Sequence, residues 1–134
     1  MDYPIRARFQ SSIAVDGDTI RTELVDLGYH QAAYRKIEYR LFGLDAPESN
    51  RPKSRKQGLA AKAFTDAWIT EHLHGGKWLF AETRKVPGPD GMLTLNDSFG
   101  RYVATILCYE HPDDHPSLNQ ALLDAGLAVV KHYT

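Results

Sequence analysis

The sequence predicts a mainly β fold carrying two helices, and three observations support this. Five runs alternate large apolar with polar residues at the two-residue period of a strand. One stripe of helical spacing falls between the third and fourth runs, and a second follows the fifth. Gly, Pro and Asp clusters separate the runs as turns. Five strands interrupted in this order read as an α+β, five-stranded OB-like barrel with two main helices. At 134 residues the chain is read as one domain, 1–134, long enough to bury a sizeable core.

The first run is Ile5 to Val15. Ile5, Ala7 and Phe9 alternate with Arg6, Arg8 and Gln10, and the pattern continues through Ile13, giving a long strand with one solvated face. Asp16-Gly17-Asp18 is a tight turn, with Asp-Gly favouring positive φ. Thr19 to Leu27 is the second strand and Ile37 to Leu44 the third. The polar connection Asp26 to Lys36 is longer than a minimal turn, so part of it extends the strands.

Ser49 to Gln57 is a basic loop. Gly58 opens a helix whose apolar stripe is Leu59, Ala60, Ala63, Phe64, Ala67 and Trp68, ending near Gly75-Gly76. Trp78 to Thr83 is the fourth strand. Val86 to Gly91 is rich in turn residues, and is either an extra hairpin with Met92 to Leu95 returning or a disordered loop. Tyr102 to Tyr109 is the fifth strand. Ser117-Leu-Asn-Gln120 is a capping box opening the second helix, which Gly126 stops.

Composition removes several classes of function. The formal net charge is −1, so no broad basic surface attracts polyanions and any site for them is local. Cys108 is the single cysteine, which excludes an internal disulfide, and its strand-like surroundings make it a core residue. No apolar run approaches the ~20 residues of a membrane span, so no membrane partner is expected. There is no basic-then-apolar leader, so a cytoplasmic protein or a trimmed secreted form is expected. A monomer is expected. His72 and His74 stand at i, i+2, which does not place them on one helical face, and no Cys/His cluster argues for zinc.

The chemistry concentrates in Arg40-Leu-Phe-Gly-Leu-Asp-Ala-Pro-Glu48. Arg40 is a planar fork suited to phosphate oxygens. Asp45 is a hard oxygen ligand for a divalent cation. Glu48 is a carboxylate able to take a proton from water. Taken alone, the same residues also suit a surface salt bridge at a turn. Two further segments favour chemistry: Val15-Asp16-Gly17-Asp18-Thr19-Ile20 upstream and Asp97-Ser98-Phe99-Gly100-Arg101 downstream.

Together these three segments resemble the staphylococcal nuclease-like (thermonuclease) family. That family's pattern is an acid-Gly-Asp-Thr turn, then Arg-Leu-x-x-x-Asp-x-Pro-Glu, then Asp-x-aromatic-Gly-Arg. Leu118 to Val129, LNQALLDAGLAV, resembles the family's last core helix and the Gly-Leu-Ala after it. The match runs in the family's order from about Ile13 to about Val130. The family's further C-terminal helix is expected to be absent or vestigial, because the sequence stops at Thr134.

The resemblance implies a Ca²⁺-dependent nuclease that cleaves single-stranded DNA and RNA to 3′-phosphorylated products. Asp18 and Asp45 supply a hard-cation site, with the Ala46 carbonyl as a further ligand and Asp16 in support. Arg40 and Arg101 clamp the phosphoryl oxygens, and Glu48 orients or deprotonates the water. Arg51 and Lys53 belong to a mobile basic rim that contacts substrate. Ser98 and Phe99 stand where the family's best-known member has a lysine and a tyrosine gripping a second phosphate. Tyr133 offers an aromatic near the base. The competing reading is a catalytically inactive OB-fold module that binds single strands. Such modules typically lose the carboxylates or arginines, whereas Asp18, Arg40, Asp45, Glu48 and Arg101 are all present. A purely structural interaction domain explains none of the clustered charges.

Overall fold

The computed structural model describes residues 6–26, 31–73, 78–97, 100–108 and 116–133. In chain order the strands and helices are β1 (Arg6–Asp16), β2 (Thr19–Asp26), β3 (Ala32–Leu41), β4 (Leu44–Asp45), α1 (Arg55–Leu73), β5 (Leu79–Thr83), β6 (Val86–Pro87), β7 (Leu93–Thr94), β8 (Tyr102–Leu107), α2 (Leu118–Asp124) and β9 (Val129–Val130). Five strands close into a barrel in the order β1-β2-β3-β8-β5, the OB-like architecture expected. The β3–β8 pair is parallel, with Arg40 opposite Val103, and the other barrel pairs are antiparallel.

Alternation along the strands builds the core. On β2, Ile20, Thr22 and Val25 are buried while Arg21 and Glu23 point away. Phe9, Leu41, Leu79 and Ile106 meet them inside, and Leu118 and Leu122 of α2 belong to the same core. Cys108 is buried, as its strand context required. Register irregularities in β1–β2 and between Thr22 and Leu24 in β2–β3 let these long strands coil around the barrel.

Several elements differ from expectation for identifiable reasons. The third strand ends at Leu41 rather than Leu44, because Gly43 takes φ 82° and the chain turns. Leu44 and Asp45 then form β4, which pairs with β9 outside the barrel. Helix α1 begins at Arg55, so Arg55, Lys56 and Gln57 are helical rather than loop. Gly58 lies inside its first turn, donating to the Ser54 carbonyl at 2.7 Å. A Cβ there would stand 2.5 Å from the Glu48 carbonyl carbon and Ser49 nitrogen, so glycine lets the helix press against that backbone. The buried stripe of α1 is Ala61, Thr65, Trp68 and Ile69, while Leu59, Ala60, Ala63 and Ala67 face outward.

Gly17 also differs: it is not at positive φ, and its role is close approach, since a Cβ would lie 2.5 Å from that of Ala61. Thr65 donates to the Gly17 carbonyl at 2.7 Å, and Asp66 accepts from the Ala14 N–H at 2.8 Å, so α1 is tied to the β1–β2 turn. Ser117 caps α2 by accepting from the Gln120 N–H at 3.0 Å. The reciprocal half of the box is not made, because the Gln120 amide donates to Asp124 instead. Gly126 ends the helix at φ 72°. Of the two readings of residues 86–95, the extra hairpin holds: β6 and β7 pair antiparallel.

Candidate active site

One end of the barrel carries a cleft of about 400 Å³. The β1–β2 turn contributes Asp16 and Asp18, β3 contributes Arg40, and the chain after Gly43 contributes Asp45, Ala46 and Glu48. Asp97 and Arg101 precede β8, and Lys131 and Tyr133 follow β9. Val86 and Val103 give the cleft an apolar side.

Arg40 is the hub. Its guanidinium, largely buried, pairs with the Asp18 carboxylate through Nη1 and with Asp45 through Nη2. The parallel β3–β8 ladder fixes its backbone against Val103. Asp18 is 8% exposed, and its carboxylate is surrounded by donors. Besides Arg40, it accepts from the Ala46 N–H at 2.8 Å and from the Thr19 hydroxyl at 3.2 Å. Asp45 is half exposed, so one side of the pair opens to solvent.

Arg101 is held by Asp97. The Arg101 N–H donates to Asp97 Oδ1 at 2.9 Å and its Nε to Oδ2 at 2.7 Å. Its Nη1 reaches the Thr19 hydroxyl at 3.2 Å, which brings the second arginine to the same turn as Asp18. Gly100 at φ 80° permits the bend that aims Arg101 inward. Glu48 is half exposed and pairs with Arg51, and the Ser54 hydroxyl donates to its carbonyl at 2.8 Å. Asp16 does not face the cation pair alone: one of its oxygens accepts from both the Ser49 N–H and hydroxyl. Tyr133 stacks on Phe42 at 5.1 Å and accepts from the Gly43 N–H at 3.0 Å, so its ring is anchored where β3 ends.

Asp16, Asp18, Arg40, Asp45, Ala46, Glu48, Arg101 and Tyr133 therefore meet in one cleft. Arg51 reaches it through Glu48, whereas Lys53 is exposed and not part of its wall. Ser98 and Phe99 lie outside the described residues. Sequence reasoning gave no site role to Ser49, Thr19 or Asp97. Asp97 was legible as the acid four residues before Arg101, but Ser49 and Thr19 carry no sequence signal for the contacts they make.

Among the described residues no three acidic, histidine or cysteine side chains converge as a preformed metal cage. The donor chemistry nevertheless suits a hard cation, because every candidate ligand is an oxygen. Five carboxylates against three cationic side chains line the cleft, an excess of two negative charges that a divalent ion would balance.

A family model described as staphylococcal nuclease homologue matches residues 36–134. No curated protein matches the chain. Among the described residues no helix is long and apolar enough to cross a membrane.

Proposed function

The chain belongs to the staphylococcal nuclease homologue family, whose domain points to a nuclease or nucleic-acid-binding role, and from that premise we propose that it is a Ca²⁺-dependent phosphodiesterase hydrolysing single-stranded DNA and RNA to 3′-phosphorylated products. The observation that supports this best is the meeting of Asp18, Arg40, Asp45, Glu48 and Arg101 in one cleft. We read residues 1–134 as one catalytic domain acting as a monomer.

A phosphodiester is anionic and repels nucleophiles, so its cleavage needs charge neutralisation, an oriented water and a base. Asp18 and Asp45, with the Ala46 carbonyl, would hold the cation, and Asp16 would support them from the Ser49 corner. When bound, the cation supplies positive charge beside the phosphoryl oxygens. Arg40 and Arg101 release part of their carboxylate pairing to grip those oxygens bidentately, which stabilises the extra charge of the five-coordinate transition state. Glu48, exposed at the rim, orients the water or takes its proton. The water oxygen bonds to phosphorus and the bond to the 5′ oxygen breaks; that oxygen takes a proton from solvent as it leaves, so the phosphate stays on the 3′ side.

Arg40→Lys tests the reading, since it keeps the charge and removes the fork. Single-turnover cleavage of a short oligonucleotide is expected to slow about 10²–10³-fold, the cost of losing one preorganised oxyanion donor. Turnover like that of the wild type would remove Arg40 from the chemistry. The second reading, a single-strand-binding module, is favoured by one observation: in this structure both Arg40 ion pairs and the Glu48 ion pair are made to protein charges.

A further inference from the structure

We infer that Arg21 and Lys36 form a second anion subsite, which takes a backbone phosphate of the bound single strand beyond the one gripped by Arg40 and Arg101. The inference rests on the proposed nucleic-acid substrate and adds a binding site outside the cleft that carries the chemistry. A shallow concavity of about 470 Å³ is lined by Arg21, Lys36, Glu38, Gly100 and Arg101. Arg101 lines both this concavity and the acidic cleft, so the two are neighbours.

The β2–β3 ladder explains the placement. Thr19 is opposite Arg40 and Arg21 is opposite Glu38. Alternation puts Lys36, Glu38 and Arg40 on one face of β3, the outer face, since Tyr39 and Leu41 are buried. A row of charged side chains therefore leads away from the Arg40 site, with Lys36 four residues, about 13 Å, along the strand. Among the described residues, leaving out its chain neighbours, no atom lies within 4 Å of where a Gly100 side chain would stand.

The charges in the concavity favour an anion. Arg21, Lys36 and Arg101, the last already paired with Asp97, line it with a single carboxylate, Glu38, so cations outnumber acids here, the reverse of the acidic cleft. Arg21 Nε is buried with no hydrogen-bond partner, the one such side-chain atom among the described residues. Its nearest acid, Glu38 Oε1, is 3.7 Å away, an ion pair but too long for a hydrogen bond. A cross-strand salt bridge serving only the sheet would account for neither the unmade donor nor Lys36. An incoming phosphate oxygen would pair with the exposed part of the Arg21 side chain, drawing it from its long contact with Glu38, and recruit the exposed lysine.

Two variants of opposite sign test the subsite. In Arg21→Gln/Lys36→Gln, the KM for a long single strand is expected to rise about tenfold relative to that for a dinucleotide. The log–log salt slope should fall by about 0.7, the share of the one phosphate the subsite neutralises. Glu38→Gln removes the competing carboxylate and is expected to lower the long-strand KM and steepen the slope, a gain that misfolding cannot mimic. If the wild type cleaves single strands and neither variant moves the KM ratio or the slope, the subsite is wrong while the proposed function stands. If the wild type neither cleaves nor binds single strands, both fall together.

Discussion

Ser49 gives two hydrogen bonds to one carboxylate oxygen of Asp16, from its hydroxyl at 2.6 Å and its N–H at 3.2 Å. The contact joins the β1–β2 turn to the residue after Glu48, across 33 positions of sequence. Gly58 presses on the same corner from the other side, and Ser54 holds the Glu48 carbonyl. The exposed catalytic candidate thus stands on a backbone fixed from three directions, although its own side chain is half free.

Ser49→Ala should loosen that corner. The N–H bond survives and the hydroxyl bond is lost, which costs about 1 kcal/mol of stability. We expect turnover to fall with KM nearly constant, because the water's partner is misplaced while the phosphate grip is untouched. Ser49→Thr should restore turnover. Steady-state kinetics and thermal unfolding of the two variants check this, and an unchanged kcat in Ser49→Ala would show that Asp16 does not act through the corner.

Glu48→Gln should remove most activity and leave the fold intact. The carboxylate is exposed and pairs with Arg51, so the core does not depend on it. General-base contributions are typically about 10²–10⁴-fold, and the loss should fall in that range. Near-normal turnover would leave Glu48 as a turn residue, and an unfolded variant would make it structural; circular dichroism separates these outcomes.

Gly58→Ala should damage both stability and activity. The new methyl meets Glu48 and Ser49 backbone atoms, which cannot rotate away as a side-chain end could. Overpacking of this kind costs about 1–3 kcal/mol, and relief requires the Glu48 corner to move. A denaturant midpoint equal to that of the wild type would contradict the close packing described.

Alkaline pH should expose the burial of Tyr39. Its hydroxyl pKa is pushed up to about 12 by burial first and by the neighbouring Tyr102 second. The unfolded chain releases this proton near the ordinary value of 10, and the folded chain holds it. The stabilisation is therefore whole below pH 10, declines by roughly 1.4 kcal/mol per pH unit between 10 and 12 and is lost above that. Tyr39→Phe should flatten this part of the stability–pH curve, and unfolding titrations of both proteins measure it.

Much of this was legible in the sequence because it depends on local pattern. Period-two alternation marked the barrel strands, and the ordered Asp18, Arg40, Asp45, Glu48 and Arg101 motifs marked the cleft. Long-range contacts left no such signal. The β4–β9 pair is only two residues a side, too short for periodicity to register. The phase of α1 was misread because small apolar residues such as Ala63 and Ala67 cost little when exposed, while Thr65 is buried through its bond to Gly17. Asp-Gly implied positive φ at Gly17, but the constraint there is the nearness of Ala61, which only the fold supplies. No local pattern marks Arg21 or Glu38, which the β2–β3 ladder pairs and the fold sets beside Lys36 and Arg101.

Digestion of denatured DNA by the purified chain, with Ca²⁺ and with excess chelator, tests the central claim most directly. The account predicts cleavage in Ca²⁺ to fragments ending in 3′-phosphate and its disappearance in chelator. Undiminished cleavage in chelator would contradict the role given to Asp18 and Asp45, and binding without cleavage in Ca²⁺ would make the chain a single-strand-binding module instead.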